Sequence, residues 1–235
     1  MKKIKFRTIT SSLEISYEST EKEIKKQLKM ILEQFEIFKN KSFDIKTLRI
    51  NIIFSQNISI TSLPSLINTL KYLESLFRSS SIDWFSMSLN SFQFENIDNI
   101  SEIIKTIITK INTIFIHLIV DKTDQSLIYA YSKTIIDISR LSNNGFDNFR
   151  LGISNGKTRN TPFFPFSNFK KPLSYSVGLE TLGSLIDKCY ENSNNNFAEN
   201  LIQYKNELID ILHELNNLLV NNSIINYEGI DASLA

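Results

Sequence analysis

The chain has 235 residues, of which 42% are hydrophobic and 22% are charged, and this composition is typical of a folded globular protein. It excludes disordered and collagen-like chains. The formal net charge of +1 excludes the strongly basic class of nucleic-acid-binding proteins, because such binding depends on an excess of Lys and Arg. A single cysteine, Cys189, excludes an internal disulfide and a zinc site built from several cysteines.

The length and the lack of a linker-like segment predict one α/β domain over residues 1–235. The N-terminal segment is charged and lacks the apolar stretch of a signal peptide. No apolar run approaches the roughly 20 residues of a membrane span. We therefore expect a cytoplasmic protein with no membrane partner and no nucleic-acid partner.

The hydrophobic pattern begins with a strand and continues directly into a helix. Alternation through Phe6, Thr8 and Thr10 predicts the strand. Thr20 and Glu23 have the spacing of a capping box, which places the start of a helix after Thr20. The apolar residues that follow recur at helical spacing: Ile24, Leu28, Ile31, Leu32, Phe35 and Phe38.

Strand and helix patterns alternate along the rest of the chain. Strands are predicted at 45–54, 82–90, 114–120, 149–153, 174–180 and 224–234, and helices after Pro64, at 100–111, at 127–138, through Cys189 and at 197–220. This alternation indicates an α/β fold with a largely parallel sheet. A barrel, or part of one, fits better than a doubly wound nucleotide-binding sheet, because the turn at residues 11–16 contains no glycine.

Glycine and proline are concentrated in the second half of the chain. All six glycines follow residue 144, and three of the four prolines lie between residues 162 and 172. Residues 154–173 are therefore predicted to form a long loop that contains Phe163 and Phe164. Leaving both rings in water would cost about 1.5–3 kcal/mol each, so they pack into the fold or line a pocket. Two interpretations stay open, a packed loop that closes the end of a barrel and a ligand-binding loop.

Five segments carry a family resemblance, and they follow one another in order along the chain. They are residues 5–10, 150–154, 161–165 (Thr-Pro-Phe-Phe-Pro), 176–180 and 229–235, which begins with Gly-Ile-Asp-Ala-Ser-Leu. The third and fifth segments are the most specific. Together the segments resemble the motifs of the DUF711 (UPF0210) family. This resemblance implies the ten-stranded α/β barrel of pyruvate formate-lyase-like enzymes, built from two half-barrels, and members whose activity is not established.

The chain departs from the family pattern in two ways. Residues 166–169 read Phe-Ser-Asn-Phe where the family usually has small residues followed by tyrosine and histidine, so a potential acid–base or ligand histidine is missing. Family members are also longer, and this chain reaches Ala235 where the second half of the barrel would begin. We therefore expect a partial (half) β/α barrel, equivalent to the N-terminal part of the family barrel. Because a half-barrel has open edges, we predict a homo-oligomer or a second polypeptide that completes the barrel.

The first functional hypothesis is an enzyme or a ligand-binding barrel with its site at the strand ends. Arg7, Arg49 and Arg150 lie on or at the ends of predicted strands and can converge on a small anionic ligand. Asp231 and Glu180 are the candidate acid–base catalytic residues. The alternative for these charged groups is a set of structural ion pairs between the arginines and the acids.

Further candidate ligand-binding residues are Thr161 and Ser233, whose hydroxyls can orient a substrate, together with Phe163 and Phe164. No metal site is predicted, since His117 lies within a strand and the second histidine lies on a distant helix. We interpret His117 as a structural histidine. No cofactor is indicated by any fingerprint motif.

The second hypothesis is a non-catalytic structural or regulatory assembly subunit derived from a barrel enzyme. The missing histidine and the missing second half of the barrel motivate it. Convergent charged side chains in a concave pocket would favour ligand binding. A loop that fills this space with Phe163, Phe164 and Phe166 would favour the assembly subunit.

Overall fold

The computed structural model describes residues 5–16, 19–41, 43–54, 62–90, 93–94, 96–120, 125–155 and 161–233. The described strands are β1 Lys5–Ile15, β2 Asp44–Ile45, β3 Leu48–Phe54, β4 Trp84–Asn90, β5 Ile114–Val120, β6 Leu151–Asn155, β7 Ser174–Leu179 and β8 Asn226–Asp231. The described α-helices are α1 Glu21–Asn40, α2 Leu63–Ser79, α3 Ile100–Lys110, α4 Gln125–Ser139, α5 Thr181–Glu191 and α6 Phe197–Asn221. Short 3₁₀ segments cover Ile97–Asn99 and Asn143–Arg150.

The strands form one curled sheet, a half-barrel, in the order β6-β5-β4-β3-β1-β7-β8, and the short β2 pairs with β1. From β6 to β1 every pairing is parallel. The direction reverses once, because β7 runs antiparallel to β1 and β8 is parallel to β7. The predicted α/β half-barrel with largely parallel strands is therefore confirmed.

The core lies between the sheet and the helices. Successive side chains of a strand point to opposite faces, and most outward positions of β1, β3, β4 and β5 are apolar and buried. They pack against the apolar stripes of the helices in one continuous cluster. Representative members are Phe6, Leu13, Ile50, Phe85 and Ile116. Burial of this face stabilises the fold and leaves the opposite, concave face for other residues.

Local signals in the sequence place most element boundaries correctly. The capping box is present, since the Thr20 hydroxyl accepts from the Glu23 amide and the Glu23 carboxylate accepts from the Thr20 amide. Several predictions were wrong in extent. Residues 11–15 of the predicted turn belong to β1, and the strand predicted at 224–234 is β8, Asn226–Asp231. The segment predicted as one strand at 45–54 is divided into β2 and β3, and the strand predicted from residue 149 begins at Leu151. Residues 149 and 150 belong to a 3₁₀ segment instead.

Candidate functional site

The concave face of the half-barrel is rich in small polar side chains. One cross-strand row contains Ser12, Asn51 and Ser86, and the next row towards the start of β1 contains Ser176, Thr10, Arg49 and Trp84. A purely structural interior would be filled more favourably by apolar side chains, because each buried polar group needs a hydrogen-bond partner. Several of these polar side chains find their hydrogen-bond partners in the backbone of one loop.

Residues 161–173 form a loop that packs on this polar face. The Thr10 hydroxyl donates to the carbonyl of Pro162 at 2.6 Å, and the Ser12 hydroxyl donates to the carbonyl of Lys171 at 2.7 Å. The Asn51 amide donates to the carbonyl of Ser167 at 3.0 Å. The sheet thus binds the loop through its backbone, which holds the loop side chains in fixed positions. Residues 156–160 of the predicted loop lie outside the described residues.

Two glycines allow the loop to approach the sheet closely. A Cβ at Gly178 would come within 2.7 Å of the Phe163 ring, and a Cβ at Gly152 would come within 2.5 Å of Pro165 Cγ. Any larger residue at either position would push the loop outwards. The scarce glycines of this chain therefore mark where the loop contacts β6 and β7.

Arg7 and Arg49 lie over the aromatic rings of the loop. The guanidinium carbon of Arg7 is 5.6 Å from the ring centroid of Phe163, and that of Arg49 is 5.2 Å from the ring centroid of Phe164. Both distances are typical of cation–π contacts. Thr47 connects the two arginines, because its hydroxyl donates to the Arg7 carbonyl and accepts from Arg49 Nε.

The electrostatic environment of Arg49 is unfavourable for its charge. Burial, and secondly the positive charge of Arg7, lower the pKa of Arg49 to about 10, and the Asp83 carboxylate opposes this shift. The Asp83 carboxylate itself accepts a hydrogen bond from the amide of Leu48. No salt bridge joins Arg49 to a carboxylate within the described part of the chain, so Asp83 offsets the repulsion from Arg7 only through its longer-range charge.

Thr161, Asp231 and Ser233 form a hydrogen-bonded group at the beginning of the loop. The Thr161 hydroxyl donates to Asp231 Oδ2 at 2.9 Å, and the Ser233 amide donates to Asp231 Oδ1 at 3.0 Å. The Phe163 amide donates to the Thr161 hydroxyl at 3.3 Å. Asp231 therefore connects the end of β8 to the same loop that carries Phe163.

Glu180 follows β7 and pairs with a lysine. Lys46 Nζ lies 2.8 Å from Glu180 Oε2, and the Glu180 amide donates to the Lys5 carbonyl at the start of β1. The next residue, Thr181, donates its hydroxyl to the carbonyl of Ser233 at 2.7 Å. Glu180 thus lies at the same end of the half-barrel as Asp231, where β1 and β3 begin.

Arg150 is placed apart from the other predicted site residues. Its guanidinium donates to the carbonyls of Ile108, Ile111 and Ile114, and to the Asp147 carboxylate at 3.2 Å. The first two carbonyls lie at the C-terminal end of α3, in the helix layer. The structure therefore brings the predicted residues together near the start of β1 and β3, with the exception of Arg150, which precedes β6 and points into the helix layer.

His117 belongs to the polar interior and is fully buried. Its Nδ1 lies 3.2 Å from the Ser88 hydroxyl, and its Nε2 lies 2.6 Å from the Ser154 hydroxyl. Burial lowers its pKa to about 4, so the imidazole is neutral at pH 7. Both ring nitrogens have partners, as is expected of a structural histidine.

Sequence reasoning missed the small polar residues of the concave face. Thr8, Ser174 and Ser176 are among them, and Asn51 anchors the loop. The signal was present in residues 174–179, where Ser, Ser and Gly alternate with Tyr, Val and Leu. This period-two pattern predicts a strand with one polar face, and burial of that face identifies it as the inner surface of a barrel.

The described residues contain no group of three or more His, Cys, Asp or Glu side chains placed to hold a metal ion. Within the same ranges, no helix combines the length and the apolar character needed to cross a membrane.

The loop and the strand ends described above contain the segments that resemble DUF711 motifs, and comparison with known proteins tests this resemblance. No curated protein matches the chain. The family described as "Uncharacterised ACR (DUF711)" matches residues 1–235, which is the whole chain. The protein therefore belongs to the DUF711 family.

Proposed function

We propose that this protein binds a small anionic ligand, a phosphate or a carboxylate, between Arg7 and Arg49 at the end of the half-barrel where β1 and β3 begin. The observation that carries the proposal is the pair of guanidinium groups held over Phe163 and Phe164. Arginine suits such a site because its planar group of donors matches the oxygens of a phosphate or carboxylate.

The electrostatics of the pair support the proposal. Two neighbouring cations repel each other, and partial burial removes the water that would screen them. The lowered pKa of Arg49 reflects both effects. A bound anion would relieve the repulsion and supply charge-assisted hydrogen bonds worth about 1.5–3 kcal/mol each. The free protein is therefore less stable than its anion complex by an amount that can be measured.

The proposal is tested by thermal denaturation in sodium phosphate or sodium acetate, against sodium chloride at equal ionic strength. At a ligand concentration of about 100 times Kd, binding stabilises by about 2.7 kcal/mol. For a chain of this size the expected rise in Tm is roughly 5–10 °C. Arg49→Gln should abolish the rise without lowering the Tm of the free protein. Arg78→Gln is the matched control, since Arg78 is exposed and pairs with Glu74 on α2.

Two results would contradict anion binding at this site. One is a wild-type Tm that is the same in phosphate, acetate and chloride. The other is a phosphate-dependent rise that survives Arg49→Gln, which would place the bound anion elsewhere.

We further propose Asp231 and Glu180 as the acid–base groups if the bound anion is a substrate. Asp231 is joined to the loop through Thr161, and Glu180 reaches the same end of the sheet through Thr181 and Ser233. Arg150 has no part in this arrangement, because its donors serve backbone carbonyls and Asp147. A cytoplasmic location remains our expectation from the sequence.

A second candidate function is the assembly subunit, and two observations favour it. The loop fills part of the concave face with aromatic rings, and α5 and α6, which follow β7 and precede β8, expose apolar side chains. Those on α5 are Leu182, Ile186 and Tyr190, which recur every four residues, and those on α6 include Ile202 and Ile209. Light scattering at micromolar concentration tests this function. A mass above 27.1 kDa supports self-association, and the mass of one chain contradicts it.

A further inference from the structure

We infer that the anion site continues into the half-barrel as a site for hydroxyl groups, so that the ligand is an anionic polyol, a small molecule with several hydroxyls and one phosphate or carboxylate. This inference rests on the proposed function and adds the class of ligand. It comes from the floor beneath Phe163, which is formed by β1 and β7.

The floor consists of five hydroxyl side chains on two paired strands. Thr10 and Ser12 use their hydroxyls to bind the loop backbone. The other three, Thr8, Ser174 and Ser176, are at most 2% exposed. Within the described residues, Thr8 Oγ1, Ser174 Oγ and Ser176 Oγ have no hydrogen-bond partner.

These three hydroxyls face the loop and not the helices. Ser174 and Ser176 alternate along β7 with Tyr175, Val177 and Leu179, which belong to the core cluster. Gly178 is on the same face as the two serines and lies directly under the Phe163 ring. Thr8 Cγ2 is 3.0 Å from the position of a Cβ at Gly178. Thr8 therefore lies beside the ring of Phe163, Ser176 is the next residue of this face along β7, and Ser174 is one position further, opposite Ser12.

Buried hydroxyls without partners destabilise a fold, since each has lost its hydrogen bonds to water. Alanine or valine would fill the same space without this cost. Thr8, next to Arg7 in β1, and Ser176, in the same strand row as Arg49, indicate a second state in which their hydroxyls are satisfied. Because each hydroxyl both donates and accepts, hydroxyl groups of a ligand are suitable partners. The arginines would hold the anionic group of the same molecule.

Phe163 occupies the place of the polyol in the state described here. The edge of its ring lies against Gly178 next to Thr8, and the guanidinium of Arg7 lies over the ring. In this proposal a simple anion binds the arginines with the ring in place, whereas a polyol moves the ring aside. Displacement of the ring therefore lowers the affinity for the polyol and leaves the affinity for a simple anion unchanged.

The only tryptophan in the chain reports on the site. Trp84 is adjacent to Arg49 across β3 and β4, and its ring lies 5.6 Å from Phe115, which in turn lies 5.3 Å from Phe164. Movement of the loop changes these contacts. Intrinsic fluorescence therefore follows binding without a label.

The experiment compares ribose 5-phosphate with inorganic phosphate, and gluconate with acetate, in fluorescence titrations checked by calorimetry. We expect ribose 5-phosphate to bind at least tenfold more tightly than phosphate, or gluconate to bind at least tenfold more tightly than acetate. The pair that shows this difference identifies the anionic group of the ligand as a phosphate or a carboxylate. Thr8→Val replaces the hydroxyl by a methyl group of similar shape. It should lower the affinity for the polyol about fivefold, leave that for the simple anion unchanged, and raise the Tm of the free protein.

A second pair of variants tests displacement of the ring. Phe163→Ala should raise the affinity for ribose 5-phosphate or gluconate, whichever binds, and Phe166→Ala is the control from the same loop, since Phe166 contacts His117 and not the floor. Phosphate and acetate binding with no gain for the polyols would overturn the inference and leave the anion site intact. Unchanged polyol affinity in Thr8→Val would also overturn it. Failure of every anion to bind would overturn the proposed function itself.

Discussion

The neutral, buried state of His117 makes the stability of this protein depend on pH in a defined range. The imidazole is fully buried between Ser88 and Ser154, and its pKa is lowered to about 4 by burial, whereas the same group in the unfolded chain titrates near 6.5. Between these values the unfolded state binds a proton that the folded state does not. The contribution of His117 is therefore fully present above pH 6.5 and is lost as the pH falls towards 4.

The size of the effect follows from the difference between the two pKa values. Each pKa unit corresponds to about 1.36 kcal/mol, so the difference of roughly 2.5 units sets a limit of about 3 kcal/mol. The loss is about 1.4 kcal/mol at pH 5.5 and about 2 kcal/mol at pH 5. Carboxylates titrate in the lower part of this range as well. A variant without the histidine is therefore needed to isolate its contribution.

The assay is urea denaturation of the wild type and of His117→Gln at pH 7.5, 6.5, 5.5 and 5.0, followed by Trp84 fluorescence. The variant loses stability at every pH, because glutamine does not reproduce both hydrogen bonds of the imidazole. The quantity of interest is the difference in free energy of unfolding between the two proteins. This difference should shrink by about 2 kcal/mol between pH 7.5 and pH 5. A difference that stays constant over this range would refute the neutral buried histidine.

Two further predictions concern the loop and the helix layer. Gly178→Ala should lower the free energy of unfolding by about 1–3 kcal/mol, since the new Cβ meets the Phe163 ring at 2.7 Å, whereas Gly183→Ala on α5 has room and should be neutral or stabilising. Equal urea midpoints for the two variants would contradict this close contact. Arg150→Met should cost about 3–5 kcal/mol in the same assay, because the Asp147 carboxylate and the buried carbonyls of α3 lose their donor, and the exposed Arg140→Met should change stability by less than about 0.5 kcal/mol. A loss below about 1 kcal/mol for Arg150→Met would show that other groups satisfy those carbonyls.

The elements that could be predicted from the sequence depend on contacts between near neighbours in the chain. The capping box of Thr20 and Glu23 spans three residues, and the apolar run of β5 has the length and composition of a buried strand. The division between β2 and β3 was not predictable, because residues 46 and 47 contain no glycine or proline that would indicate a break. The two strands separate there, and the Lys46 amide donates to the Phe6 carbonyl.

The candidate site was harder to predict, because it depends on contacts between residues that are far apart in the chain. Arg49 and Arg150 look alike in the sequence, since each stands next to an apolar strand. Arg49 lies on the concave face, whereas Arg150 points to the C-terminal end of α3. The difference depends on the 3₁₀ segment that ends at Arg150 and on a helix about 40 residues earlier, and neither is encoded locally. The contact between Phe163 and Gly178 likewise depends on the antiparallel pairing of β7 with β1, which no local sequence pattern predicts.

That reversal also has a consequence for the order in which the protein folds. β1 is a central strand, with β3 from the first quarter of the chain on one side and β7 from the last third on the other. The parallel part of the sheet can form while the chain is still being synthesised. The other edge of β1 then stays unpaired until residues 174–179 emerge from the ribosome. Such a long-range pairing closes slowly because a large loop must be ordered first. During this interval the backbone of β1 offers a free strand edge, which can pair wrongly or aggregate until β7 covers it.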